Sequence, residues 1–167
     1  MVSQLTDISW WPLINVAALM LYMLSVRKLT VFSFIFLGTL VLEALHTGIE
    51  FYLQSVGALQ DYSLFGFLAW YLTFGLSDMA FGFLIIAAAR HMALPLNRVC
   101  QFLIGLFLLL GVLQILTMIE RLTLQSALVG EIYPLIIFAV NTAISVILLG
   151  YSARTVISAW LNTDRAA

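Results

Sequence analysis

Long apolar runs separated by short polar breaks organise the chain, and five of the runs reach about the 20 residues that a helix needs to cross a bilayer. They cover residues 8–26, 31–54, 63–89, 99–119 and 132–153, the last with an interfacial extension to about residue 160. Runs of this length favour helix over buried strand, and the longer ones fit a modest tilt. The breaks have ordinary turn chemistry. RKLT and HMALPLN predict tight turns, and Pro95 cannot continue a preceding helix. SVGALQDYS predicts a turn at Gly57, whereas the longer, partly apolar RLTLQSALVGE is expected to lie along the outer interface. No internal repeat is apparent, and an odd number of helices argues against two equal inverted halves.

Composition fixes the solvent. With 63% hydrophobic and 9% charged residues and a mean hydropathy of +1.11, the chain lies far from soluble proteins, in which about a quarter of residues are charged. The expectation is a single all-α integral membrane domain over residues 1–167, a five-transmembrane-helix bundle. Lys and Arg concentrate on the cytoplasmic side of membrane proteins. With the N-terminus outside and the C-terminus cytoplasmic, Arg27, Lys28, Arg90, Arg98, Arg154 and Arg165 fall inside and only Arg121 outside. Asp7, Asp61 and Glu131 lie outside in that orientation, with Glu120 at the boundary. Trp10, Trp11, Tyr62 and Tyr133 at outer ends, and Tyr151 and Trp160 at the inner end, suit aromatic belts. No basic region precedes the first run and no small-residue cleavage pattern follows it, so a retained first helix is expected. Localisation is read as multi-pass in the plasma (inner) membrane.

A net charge of −1 without a basic cluster argues against nucleic acid as a partner. The single cysteine, Cys100, forms no internal disulfide and is expected near the cytoplasmic end of a helix.

The second run contains LEALHTGIE, which carries two glutamates and a histidine where hydrocarbon is expected. Thr39, Glu43, His46, Thr47, Glu50 and Gln54 recur at spacings of three and four and therefore share one helical face. At 1.5 Å per residue, Glu43 falls within roughly 2 Å of the midplane, His46 about 6 Å outward and Glu50 about 12 Å outward. The same ladder puts Asp78 about 3 Å inward, Asn141 near the midplane and Gln114 about 7 Å outward. An acid at the centre of an isolated helix costs on the order of 2.5–3.5 kcal/mol even on the lenient insertion scale. Asp78 shares its face with Tyr71, Gly75 and Gly82, and such glycines let another backbone approach. The pattern predicts a polar cavity open to the outside and closed near Glu43 and Asp78, over an apolar layer formed by FSFIFLG, GFLIIAAA and ILLG. A continuous open pore is not expected.

Buried carboxyl groups can be tuned to exchange protons near physiological pH, so Glu43, His46, Asp78 and Glu50 are the candidate proton- or ion-binding residues. Asn141, Gln114, Thr117, Thr47 and Arg121 are candidate supporting polar groups. The structural alternative for Glu43 and Asp78 is a hydrogen bond to Asn141 or Gln114. His46 is placed to pass a proton between Glu43 and Glu50, or to sit neutral in the bundle; Glu50 is either a mouth carboxylate or a salt-bridge partner of Arg121. Glu43 and His46 form an E-x-x-H pair, but the second pair and the further glutamates of a di-metal bundle are missing. A single metal on Glu43, His46, Glu50 and Asp78 is the minor reading.

No lysine lies inside a span, which excludes a retinal Schiff base, and His91 sits at the edge beside Arg90, leaving His46 alone in the core. A haem held by two histidines is therefore not expected, and no cofactor is called for. The leading expectation is a small protein that conducts, transports or senses protons or small cations, as a homo-oligomer or with a partner membrane subunit. The alternatives are a non-conducting sensor or assembly subunit and, third, a metal-dependent enzyme acting on a lipid.

Overall fold

A computed structural model describes residues 10–58, 63–123 and 128–163, with the side chains at 10–12, 128–131 and 162–163 left aside. The described residues form five helices and no strand: α1 (Trp10–Val26), α2 (Val31–Ser55), α3 (Leu64–His91), α4 (Arg98–Thr123) and α5 (Leu128–Thr163). Helices α2 to α5 are each long and apolar enough to cross a membrane; α1 offers a shorter apolar stretch, Leu13–Val26. The chain has the build of a multi-pass membrane protein.

Each helix packs on the next in sequence, α5 returns to α1, and α2 also touches α4 across the middle. The end where α1 stops, α2 starts, α3 stops and α4 starts carries Arg27, Lys28, Arg90 and Arg98, and is called the basic end below. Local chemistry fixes the turns there. Thr30 caps α2 in a reciprocal box: the Ser33 N–H donates to Thr30 Oγ1 at 3.1 Å, and the Thr30 N–H donates to Ser33 Oγ at 3.0 Å. The Tyr22 hydroxyl, 3.0 Å from Thr30 Oγ1, ties α1 to that cap. After α3, Ala93 takes a left-handed conformation (φ 51°) and the Leu94 N–H reaches the Ala89 carbonyl at 2.9 Å, a helix stop ahead of Pro95. Asn97 Oδ1 then accepts from the Cys100 N–H at 2.8 Å to open α4, while its Nδ2 donates to the Tyr151 hydroxyl at 3.2 Å.

The basic half is a packed apolar plug. Phe32, Ile35, Phe36, Leu103, Cys100 and Leu148 are fully buried within one cluster. Phe32 stacks with Tyr22 and Tyr151 at centroid distances of 4.9 and 4.5 Å. Cys100 is buried close to the basic end, near the position expected from the sequence.

The most extensive pairing joins α3 to α4, and small residues permit it. A β-carbon on Gly111 would lie 2.6 Å from the Gly75 carbonyl oxygen and 3.0 Å from the Met79 nitrogen; one on Gly75 would lie 3.0 Å from Gln114 Cβ. Backbones so close bury the α3 face of Tyr71, Gly75, Asp78 and Gly82.

Three boundaries differ from the sequence reading. Helix α4 runs to Thr123 and α5 begins at Leu128, so much of the segment expected to lie along the interface is helix. At the far end α5 is continuous to Thr163, so the expected interfacial extension is the same helix. Pro134 therefore sits inside α5, one turn or more from its start. The segment's partly apolar composition supports helix as readily as a surface strap, which is why periodicity did not separate the two. Asp7, Asp61, Tyr62 and Arg165 lie outside the described residues, as do the side chains of Trp10, Trp11 and Glu131.

Candidate cation-binding cavity

A cavity of about 990 Å³ occupies the half of the bundle away from the basic end. Its described lining comes from α2 (Thr39, Leu42, Glu43, His46, Thr47, Glu50), α3 (Trp70, Phe74, Asp78), α4 (Phe107, Leu110, Gln114) and α5 (Tyr133 to Ser145). The four carboxylate and histidine candidates thus face one space, together with Gln114, Asn141 and Thr47. Five residues of the α2 stripe, Thr39, Glu43, His46, Thr47 and Glu50, line it, and Gln54 does not. Phe107, Leu110 and Ile144, which line the cavity and belong to the apolar core, mark its lower limit.

Asp78 is the most deeply placed acid, 5% exposed. Among the described residues no side chain hydrogen-bonds or ion-pairs with Asp78, and the same holds for the Glu43 carboxylate. Gln114, the suggested structural partner, is engaged elsewhere: its Oε1 accepts from the Tyr133 hydroxyl. Asn141 is exposed along the cavity rim.

His46 crosses to α3 and not along its own helix. Its Nε2 lies 2.7 Å from Ser77 Oγ, and Ser77 in turn donates to the Phe74 carbonyl at 3.1 Å. The imidazole also rests on Phe74 at 4.5 Å, and Phe74 on Trp70 at 4.6 Å, so three rings build one side of the cavity. The described hydrogen bond of the imidazole is the one between Nε2 and Ser77, not one to Glu43 or Glu50. Glu50 is exposed and accepts from Gln54 Nε2 at 3.2 Å, one turn away.

Two supporting residues fall elsewhere. Thr117 is fully buried, donates to the Leu113 carbonyl at 2.8 Å and does not line the cavity. Arg121 places its guanidinium carbon 5.9 Å from the centroid of the Tyr71 ring. Among the described residues no Glu50–Arg121 salt bridge forms; Glu50 is engaged with Gln54 and Arg121 lies over the Tyr71 ring. Thr47 donates to the Glu43 carbonyl at 2.9 Å. Among the described residues no three of His, Cys, Asp and Glu gather closely enough to hold a metal, so the Glu43, His46, Glu50, Asp78 ligand set is not assembled.

The sequence reading missed Ser77, Trp70, Phe74 and Tyr133. Ser77 sits one residue before Asp78, and Trp70 and Phe74 lie four residues apart on one face, which is the available signal for them. The sequence suits Tyr133 to an interfacial belt and does not reveal that its hydroxyl donates to Gln114 Oε1.

These features define an all-helical chain with the build of a multi-pass membrane protein and an acid-lined cavity between its helices. No family model matches the chain, and neither a known protein nor a solved structure is significantly similar to it.

Proposed function

We propose that the protein binds protons or small cations at Glu43 and Asp78, in the service of gated transport or of sensing. The observation that carries this reading is Asp78: a carboxyl group 5% exposed, without a described partner, in a cavity that Glu43 also lines. An ionisable group inside a membrane is costly and by default functional, and a purely structural acid would be expected to hold a hydrogen bond. A shared cavity within one chain favours a binding site over an axial pore. The apolar plug below it favours gated passage or none. That plug also favours the second reading, a non-conducting sensor or assembly subunit. A homo-oligomer or a partner membrane subunit belongs to the proposal in either form.

Infrared difference spectra between acid and alkaline pH test the binding directly. The expected result is a carboxylic acid band that titrates and shrinks in both Glu43→Gln and Asp78→Asn. A spectrum that neither substitution alters would overturn the proposal. Proton flux in liposomes then divides its two forms: flux above empty vesicles, reduced by either substitution, means transport, and flux equal to empty vesicles means sensing.

A further inference from the structure

The cavity has features that a proton or a bare metal ion does not call for. At about 990 Å³ it reaches the upper part of the roughly 300–1,000 Å³ range of sites for small organic molecules. Its charge is one-sided: Glu43, Asp78 and Glu50 line it, whereas Arg121 is not in the lining and lies over the Tyr71 ring, and the His46 Nε2 is engaged with Ser77. An anionic guest would meet three acids, Glu43, Asp78 and Glu50, with His46 as the one basic side chain and no Lys or Arg in the described lining.

The remaining walls combine aliphatic and aromatic side chains. Trp70, Phe74, Tyr133 and Phe138 line the same space, with Trp70 and Phe74 stacked at 4.6 Å. Acids together with aromatic faces recognise organic ammonium groups, because the ring quadrupole attracts a cation that is too weakly hydrated to resist desolvation.

The cavity also opens sideways. Helices α2 and α5 do not pack along one another, and the α5 residues on the rim, Phe138 at 71% exposure and the exposed Asn141 and Thr142, stand well inside the length of the span. A guest with an apolar tail therefore has a path from the hydrocarbon layer to the acids that involves no passage through water.

From these three observations we infer that the cavity takes an amphipathic organic cation, an ammonium group on an apolar chain, which enters from the bilayer between α2 and α5. This rests on the acid-binding reading above and names the class of guest.

Binding of decyltrimethylammonium to the full chain in nanodiscs of neutral lipid, measured against empty nanodiscs, tests it. The expected result is a saturable component of one molecule per chain, weakened roughly ten-fold or more by Asp78→Asn and by Glu43→Gln, as follows from removing one partner of a desolvated charge pair. Circular dichroism and gel filtration identify any variant that fails to fold, and Glu43, half-buried on the wall, serves where Asp78→Asn does so. Decyl sulfate is expected to show only the partitioning of empty nanodiscs, and tetramethylammonium to bind more weakly than its decyl homologue. Saturable binding that both substitutions leave intact, equal binding of decyl sulfate, no saturable component at all, or tetramethylammonium binding as tightly as the decyl compound would each overturn the inference. An infrared carboxyl band that still titrates in the same preparation would show that the guest class alone had failed and that proton binding stands.

Discussion

The two halves of the bundle are built from the same helices and solve opposite problems. In the basic half, α2 presents Phe32, Ile35 and Phe36 to a fully buried apolar cluster; two turns further along, the same helix presents Glu43 and His46 to a cavity of about 990 Å³. Among the described residues the carboxyl groups within the bundle fall in the second half, while the first holds buried hydroxyls such as Ser33 and Ser152. The contrast teaches where stability and function are held in a small membrane protein. Because lipid is as apolar as leucine, burial by itself drives little helix association in a bilayer, and close packing has to supply the cohesion. The plug and the glycine seam between α3 and α4 supply it, which leaves the other half free to be loosely filled and polar.

The largest expected difference between the halves is in the response to truncated aromatics. Phe36→Ala, at the centre of the plug, is expected to destabilise by about 2 kcal/mol, since the loss of ~3–5 kcal/mol typical of soluble cores keeps only its packing part in lipid. Phe138→Ala on the cavity rim is expected to stay within about 0.5 kcal/mol. Reversible unfolding in mixed micelles compares them, and equal losses would erase the contrast.

Next in size is the seam. Gly111→Val is expected to cost about 1–3 kcal/mol by overpacking, because its β-carbon alone would lie 2.6 Å from the Gly75 carbonyl oxygen. Gly105→Ala, at an open position on the same helix, is the matched control and is expected to be neutral or slightly stabilising in the same assay.

The smallest effect belongs to the hydrogen bond across the cavity wall. Ser77→Ala removes the described partner of His46, and side-chain hydrogen bonds inside membranes average about 0.6 kcal/mol. Stability should hardly move, while the imidazole resonances of His46 should shift clearly; unshifted resonances would place the ring elsewhere.

Much of this division was legible in the sequence. The helix positions follow from apolar runs whose length leaves no alternative, and the α2 wall follows from polar residues that keep a helical period where lipid penalises any stray. Asp78, Gln114 and Asn141 follow from depth and from the helical faces they share, Asp78 with Tyr71, Gly75 and Gly82. Depth does not choose partners. The serine that His46 meets is one of many hydroxyls scattered along membrane helices, and Arg121 found an aromatic face where an acid was the expected partner. Trp70 and Phe74 carry no signal that separates a cavity wall from lipid contact, since either environment accepts an aromatic ring. The length of α5 was hidden for a similar reason, because Ser152 and Arg154 suit a helix end as well as a helix that runs on.

Thiol labelling tests the division between halves most directly. In a Cys100→Ala background, single cysteines are introduced at Thr47, which lines the cavity toward its Glu50 end, and at Ile35 and Leu148 in the plug, and a membrane-impermeant, water-soluble thiol reagent is added to the reconstituted protein. The account predicts rapid modification at position 47 and protection at 35 and 148 until the protein is unfolded. Protection at 47, or modification of the plug cysteines at a comparable rate, would contradict it.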